Sequence, residues 1–183
     1  MSTRCQLRFT ENESDRVAQV YRHSDGYPGS VLPLLDRLQE LLHETGTQRD
    51  MSYAAAQFIL VDKLQYIGHT IESESDTYSD WPDTVAEILD PENWKQVDAT
   101  PTYLLGHAVE NPSCGIHGDE EYLYVVQLPT RSPLEDPKEW RVKISEHCGF
   151  PRWDDPSEDA FEVADWQFEG TLADAIAGLE VKQ

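Results

Sequence analysis

Histidine and aspartate stand two residues apart at two places in this chain, His23-x-Asp25 and His117-x-Asp119. An imidazole changes protonation near neutral pH and ligates metals, and a carboxylate beside it can orient the ring or add a ligand. The first pair lies in Tyr21-Arg22-His23-Ser24-Asp25-Gly26-Tyr27-Pro28-Gly29, just ahead of a helical pattern whose first N–H groups could hold an anion. The same residues also read as two turns, with Asp25-Gly26 and Pro28-Gly29 supplying turn geometry. The second pair lies in Cys114-Gly115-Ile116-His117-Gly118-Asp119-Glu120-Glu121. Cys-x2-His has the spacing of a zinc half-site, for which His147-Cys148 is the candidate second half. Adjacent side chains on a strand point to opposite faces, which argues against that completion, and a glycine-containing turn with solvated acids accounts for the segment equally well.

His23, Asp25, Tyr27, His107, His117 and Asp119 all fall at or near expected strand ends, so one candidate pocket could gather them. Nothing local establishes the convergence. Tyr21, Tyr27, Tyr122, Tyr124, Trp140 and Trp166 are either its aromatic lining or core residues. P-loop, dinucleotide-binding glycine, Gly-x-Ser-x-Gly and His-Glu-x-x-His signatures are absent. No catalytic set, metal or cofactor is therefore assigned.

The elements that must position these residues follow from periodicity. Cys5 to Phe9 and Arg16 to Arg22 alternate in polarity around a polar turn, which predicts an antiparallel hairpin. Ser30 reads as a helix cap, followed by Val31, Leu34, Leu35, Leu38, Leu41 and Leu42 on one face and closed by Gly46. A second helix is expected from Ser52 to Ile67, apolar on more than one side and therefore central. An acidic loop over Ile71 to Ser79 and a short helix from Trp81 to Leu89 should come next. Tyr103 to Val109, Glu121 to Leu128 and Trp140 to Ile144 read as strands of an antiparallel meander. Phe161 to Phe168 reads as a further strand, and Thr171 as the cap of a short C-terminal helix. The expected class is α+β: one domain over residues 1–183, a mainly antiparallel sheet with helices packed on one face.

Composition limits the setting. Asp and Glu number 35 against 14 Lys and Arg, for a formal net charge of -21. Such a surface repels itself in dilute buffer, whereas at about 1 M salt the Debye length shrinks to about 3 Å. The spread of acids along the chain fits solvation in brine better than mimicry of nucleic acid. Direct nucleic-acid binding is disfavoured because no window clusters Lys and Arg. No run is apolar and long enough for a membrane span, and the opening residues lack a signal-peptide core, so a cytoplasmic protein is expected. Cys5, Cys114 and Cys148 are odd in number and widely spaced, as reduced thiols are.

Two segments carry a resemblance: Tyr21-Arg22-His23-x-Asp25-Gly26-Tyr27-Pro28 before a Leu-rich helix, and Gly118-Asp119-x-Glu121-Tyr122-x-Tyr124 entering a strand. They resemble a family found in haloarchaea, bacteria and their phages or prophages, for which no activity is established. The resemblance implies candidate positions, a halophilic setting and a mobile-element origin; it covers the N-terminal third and the stretch from His117 to Leu128. The expected function is a binding or accessory module, with a metal-dependent hydrolase using the His and Asp residues of the two loops as the alternative. Partner and oligomeric state are left open.

Overall fold

The computed structural model describes residues 3–11, 15–74, 106–114, 120–129, 139–146 and 160–180. Within them six strands form one sheet: β1 (Cys5–Glu11), β2 (Val17–Arg22), β3 (His107–Glu110), β4 (Tyr122–Leu128), β5 (Arg141–Glu146) and β6 (Phe168–Thr171). Their order is β3-β2-β1-β4-β5-β6. Four of the pairings are antiparallel, and β1 with β4 is parallel. Helices α1 (Pro28–Glu44), α2 (Met51–Glu74) and, after the short α3 (Ala160–Val163), α4 (Leu172–Glu180) complete the fold. It is the expected α+β class.

Alternation decides the faces. Cys5, Leu7 and Phe9 of β1 share a side with Val20, Tyr124, Val126 and Val142, and that side packs on Leu32, Leu35, Leu38, Phe58 and Leu172 of α1, α2 and α4. Burying a Leu or Phe side chain contributes about 2 kcal/mol, so this face holds most of the apolar stabilisation. Trp140 is fully buried there, its backbone N–H donating to Gln39 Oε1 at 2.7 Å.

The hairpin is as expected, with Cys5 opposite Arg22 and Phe9 opposite Ala18. The meander is not. The strand from His107 pairs with β2, and Tyr122–Leu128 crosses to the other edge of β1 and runs parallel to it, Cys5 beside Tyr122 and Leu7 beside Tyr124. Periodicity assigns faces to strands but says nothing of neighbours. Of the expected Tyr103 to Val109 strand, the described part begins at Gly106.

Local boundaries shift for identifiable reasons. Helix α1 begins at Pro28 with Tyr27 as its cap residue, three positions before the expected cap Ser30, because proline's fixed φ suits a first turn. Leu32 is buried and Leu41 is 43% exposed, so the apolar face is rotated from the expected one. Gly46 does close the helix, at φ 62°. Helix α2 starts at Met51, where the Tyr53 and Met51 N–H groups donate to Asp50 Oδ1 and Glu11 Oε1. It continues to Glu74, into the segment expected to be a loop. It is not buried all round: Leu60 is 49% exposed. The expected Phe161 to Phe168 strand is instead a helical turn at Ala160–Val163 followed by β6 from Phe168. Phe161 and Ala164, three apart, both join Leu123 on the outer sheet face, a contact that helical spacing permits and alternation does not. The Thr171 hydroxyl caps α4, accepting from the Asp174 N–H at 3.1 Å. The expected Trp81 to Leu89 helix lies outside the described residues.

Candidate functional site

Two charged residues occupy apolar phases. In β2, Ala18, Val20 and Arg22 alternate onto the helix-covered face, and on α2 Asp62 follows Phe58 by one turn. Strand and helix pack together, so guanidinium and carboxylate meet in the interior. Arg22 Nε donates to Asp62 Oδ2 at 2.6 Å and Nη2 to Oδ1 at 2.8 Å, a bidentate pair whose side chains are 4% and 2% exposed.

Three further segments join this pair. Arg22 Nη1 donates to the Asp25 carbonyl and, at 3.1 Å, to Ser30 Oγ, so one side chain ties β2, the following loop and α1 to α2. His107 lies opposite Arg22 on β3, and its Nε2 is 2.8 Å from Asp62 Oδ2. Its ring meets Phe58 edge-on. Burial alone would raise the Asp62 carboxyl, but the hydrogen bonds from His107 and Arg22 outweigh it and hold Asp62 below its ordinary value. Asp62 is therefore an anion that accepts from His107 Nε2–H, and His107 Nδ1 is buried with no hydrogen-bond partner among the described residues. Burial likewise opposes charge on Arg22, and the bond to Asp62 overrides it, so Arg22 is held above its ordinary value.

Over this array opens a cavity of about 410 Å³ lined by Arg22, Asp25, Tyr27, Ser30, Asp62 and Gln65, with Gly29 and Pro33 completing the wall. The loop that builds it is fixed at several points. Asp25 takes the left-handed conformation, φ 54°. A Cβ on Gly26 would lie 2.7 Å from the Arg4 carbonyl carbon and 2.8 Å from Cys5, because the loop crosses directly over the start of β1. The Gly26 N–H donates to the Thr3 carbonyl at 2.9 Å and its carbonyl accepts from Tyr124 Oη at 2.8 Å.

Of the candidate residues, Asp25 and Tyr27 line this cavity and His107 supports its floor through Asp62. His23 turns elsewhere: its imidazole Nδ1 is 2.7 Å from the hydroxyl of Tyr21, on the other face of the sheet, and its backbone N–H donates to the Gly106 carbonyl. Asp25 lines the cavity and His23 does not. His117, Asp119, His147 and Cys148 lie outside the described residues. Among the described residues no three His, Cys, Asp or Glu side chains group as metal ligands. Tyr124 and Trp140 belong to the core, and Trp166 packs beside Phe161 on the outer face.

Arg22, Ser30, Asp62 and Gln65 were not among the candidates. The legible signal was a charge of each sign in two apolar phases, one in β2 and one in α2. A second polar group on the outer face was also unforeseen. Gln6, Arg8 and Gln19 are buried there, Arg8 Nε donates to Gln19 Oε1 at 2.8 Å, and Gln19 Nε2 donates to Glu110 Oε2 at 3.1 Å. The Arg8 guanidinium stacks 3.9 Å from the Phe161 ring centroid.

Among the described residues no helix is long and apolar enough to cross a membrane. Comparison of the chain with protein-family models, with curated proteins and with solved structures finds no match, so the geometry of this site carries the functional reading alone.

Proposed function

We propose that this protein is a cytoplasmic binding or accessory module of a cell with molar internal salt, of mobile-element origin, that receives a small polar ligand in the cavity between the β2–α1 loop and α2. The cavity carries the reading. Its volume of about 410 Å³ lies in the range of small-molecule sites, and several polar groups converge on it from three elements. Those groups are held before any ligand arrives, because the Arg22–Asp62 pair and the Gly26 contacts fix the wall. The high-salt setting is supported by the formal charge of -21. His23 does not line the cavity, which favours binding over the hydrolase alternative.

A fragment screen by NMR in molar KCl tests this. We expect hits that shift Ser30 and Gln65 resonances, and that are lost when the exposed Gln65 is enlarged by Gln65→Trp. Hits mapping elsewhere and indifferent to that substitution would remove the site. One stoichiometric transition-metal ion in purified protein, lost on His23→Ala or His117→Ala, would instead defeat the binding-module reading.

A further inference from the structure

The outward side of α2 is apolar where a solvated helix is not. Ala56, Leu60 and Leu64 stand one turn apart there, with Leu60 and Leu64 49% and 46% exposed. Phe58 and Asp62, about half a turn round the helix from Leu60, are buried and fix which side faces out. Tyr53 begins the same stripe, and the Arg49 guanidinium lies over its ring, 5.4 Å from the centroid.

Charge sets this side apart. The chain carries 35 Asp and Glu in 183 residues, yet the stretch from Met51 to Ile71 holds one acid, Asp62, and that one is turned inward onto Arg22. The exposed residues described on α2 are Ser52, Ala56, Leu60, Leu64 and Gln65, none of them charged. On α1, by contrast, Asp36, Arg37, Glu40 and Glu44 are exposed. Solvation by carboxylates suits that helix and does not account for α2. We propose that the outward face of α2 is the interface of a symmetric dimer, covered by the same helix of a second copy of this chain.

A second copy is the occupant that charge selects. Two chains of formal charge -21 repel wherever their acidic surfaces meet, and this side lets them approach without setting carboxylate against carboxylate. A basic protein is drawn instead to the acids elsewhere on the surface, and an anionic membrane repels the chain. Two-fold symmetry then sets the register. With the helices antiparallel and the axis beside Leu60, that residue meets its own counterpart, and Ala56 meets Leu64 in both directions, small against large. Parallel helices would set Ala56 against Ala56 and leave a gap. One helix face is smaller than the standard interface of about 800 Å² a side, so the dimer is weak and gains strength as salt screens the repulsion.

Sedimentation equilibrium of the whole chain in molar KCl tests this over a concentration series. The mass should rise from monomer to dimer. Leu60→Glu, at an exposed position, should leave the circular dichroism unchanged and weaken the dimer about tenfold or more, and Leu60→Lys should do the same. An equimolar mixture of the two variants should recover the dimer, because the symmetric contact then sets a carboxylate against an ammonium. A mass that stays monomeric, a dimer indifferent to Leu60→Glu, or a mixture that fails to recover it would overturn the proposal. In the monomeric case, thiol labelling of Leu60→Cys in a Cys114→Ser, Cys148→Ser background shows what takes the second copy's place. Protection would assign the face to another part of this chain, rapid labelling to solvent or an unrelated partner, and either result ends the dimer.

Discussion

The Tyr124 hydroxyl, on the fourth strand, donates to the Gly26 carbonyl in the loop after the second strand across 2.8 Å, reaching over the start of β1. It ties together two stretches of sequence that nearly a hundred residues separate. Both partners are buried, and burial pushes the Tyr124 phenol well above its ordinary value, so it remains a donor throughout the physiological range.

Tyr124→Phe should therefore leave the Gly26 carbonyl buried and unsatisfied. The expected loss is about 1–3 kcal/mol in chemical denaturation with little change in fold. A loss below the error of the measurement would mean that water replaces the hydroxyl.

Gly26→Ala should cost more than an ordinary surface substitution, because the added methyl meets backbone at 2.7 and 2.8 Å and no flexible side chain can give way. Overpacking of this kind costs about 1–3 kcal/mol. The Ser30 and Gln65 amide resonances should move with it, since the loop forms the cavity wall; a stable variant with unmoved resonances would contradict the close approach.

Asp62→Asn should destabilise the protein at neutral pH by about 3 kcal/mol, since it leaves Arg22 buried without its counterion. The pH dependence has a definite sign. Asp62 titrates lower folded than its ordinary 3.8, so its stabilisation is complete above that value and fades as pH falls through the lower folded one. The gap between wild type and variant should therefore narrow below about pH 4. A gap that widened on acidification would reverse the assignment.

Cys5 is fully buried, and its thiol is pushed far above the ordinary range by burial, with the charges of Glu120 and Asp62 adding to burial and that of Arg22 opposing it. In a Cys114→Ser, Cys148→Ser double variant, a soluble thiol reagent should fail to modify the folded protein and should react once denaturant is added. Rapid labelling without denaturant would show that the sheet opens locally at β1.

With a formal charge of -21, the urea midpoint should rise steeply between millimolar and molar KCl as repulsion is screened. A midpoint independent of salt, in a protein that stays monodisperse in dilute buffer, would detach the acidic composition from a saline environment.

Much of the architecture was legible from local pattern. The alternation of Cys5, Leu7 and Phe9, the Leu stripe from Val31 to Leu42 and the turn at Gly46 depend on contacts within one element, and the structure has a strand, a helix and a turn there, with α1 starting earlier and Leu32 buried in place of Leu41. Asp25 and Tyr27 could be singled out for the same reason, as residues of a loop dense in turn chemistry. The parallel pairing of β1 with β4, and the withdrawal of His107 to the edge beside β2, could not be read, because a strand's own residues define its faces and not its neighbours. The site shows the same division. An arginine in the apolar phase of β2 and an aspartate in that of α2 are signals within the sequence that a reading of periodicity passes over. Only the packing of α2 on β2 joined Arg22 to Asp62 and turned His23 toward Tyr21, since partner choice across a core depends on how whole elements meet in space.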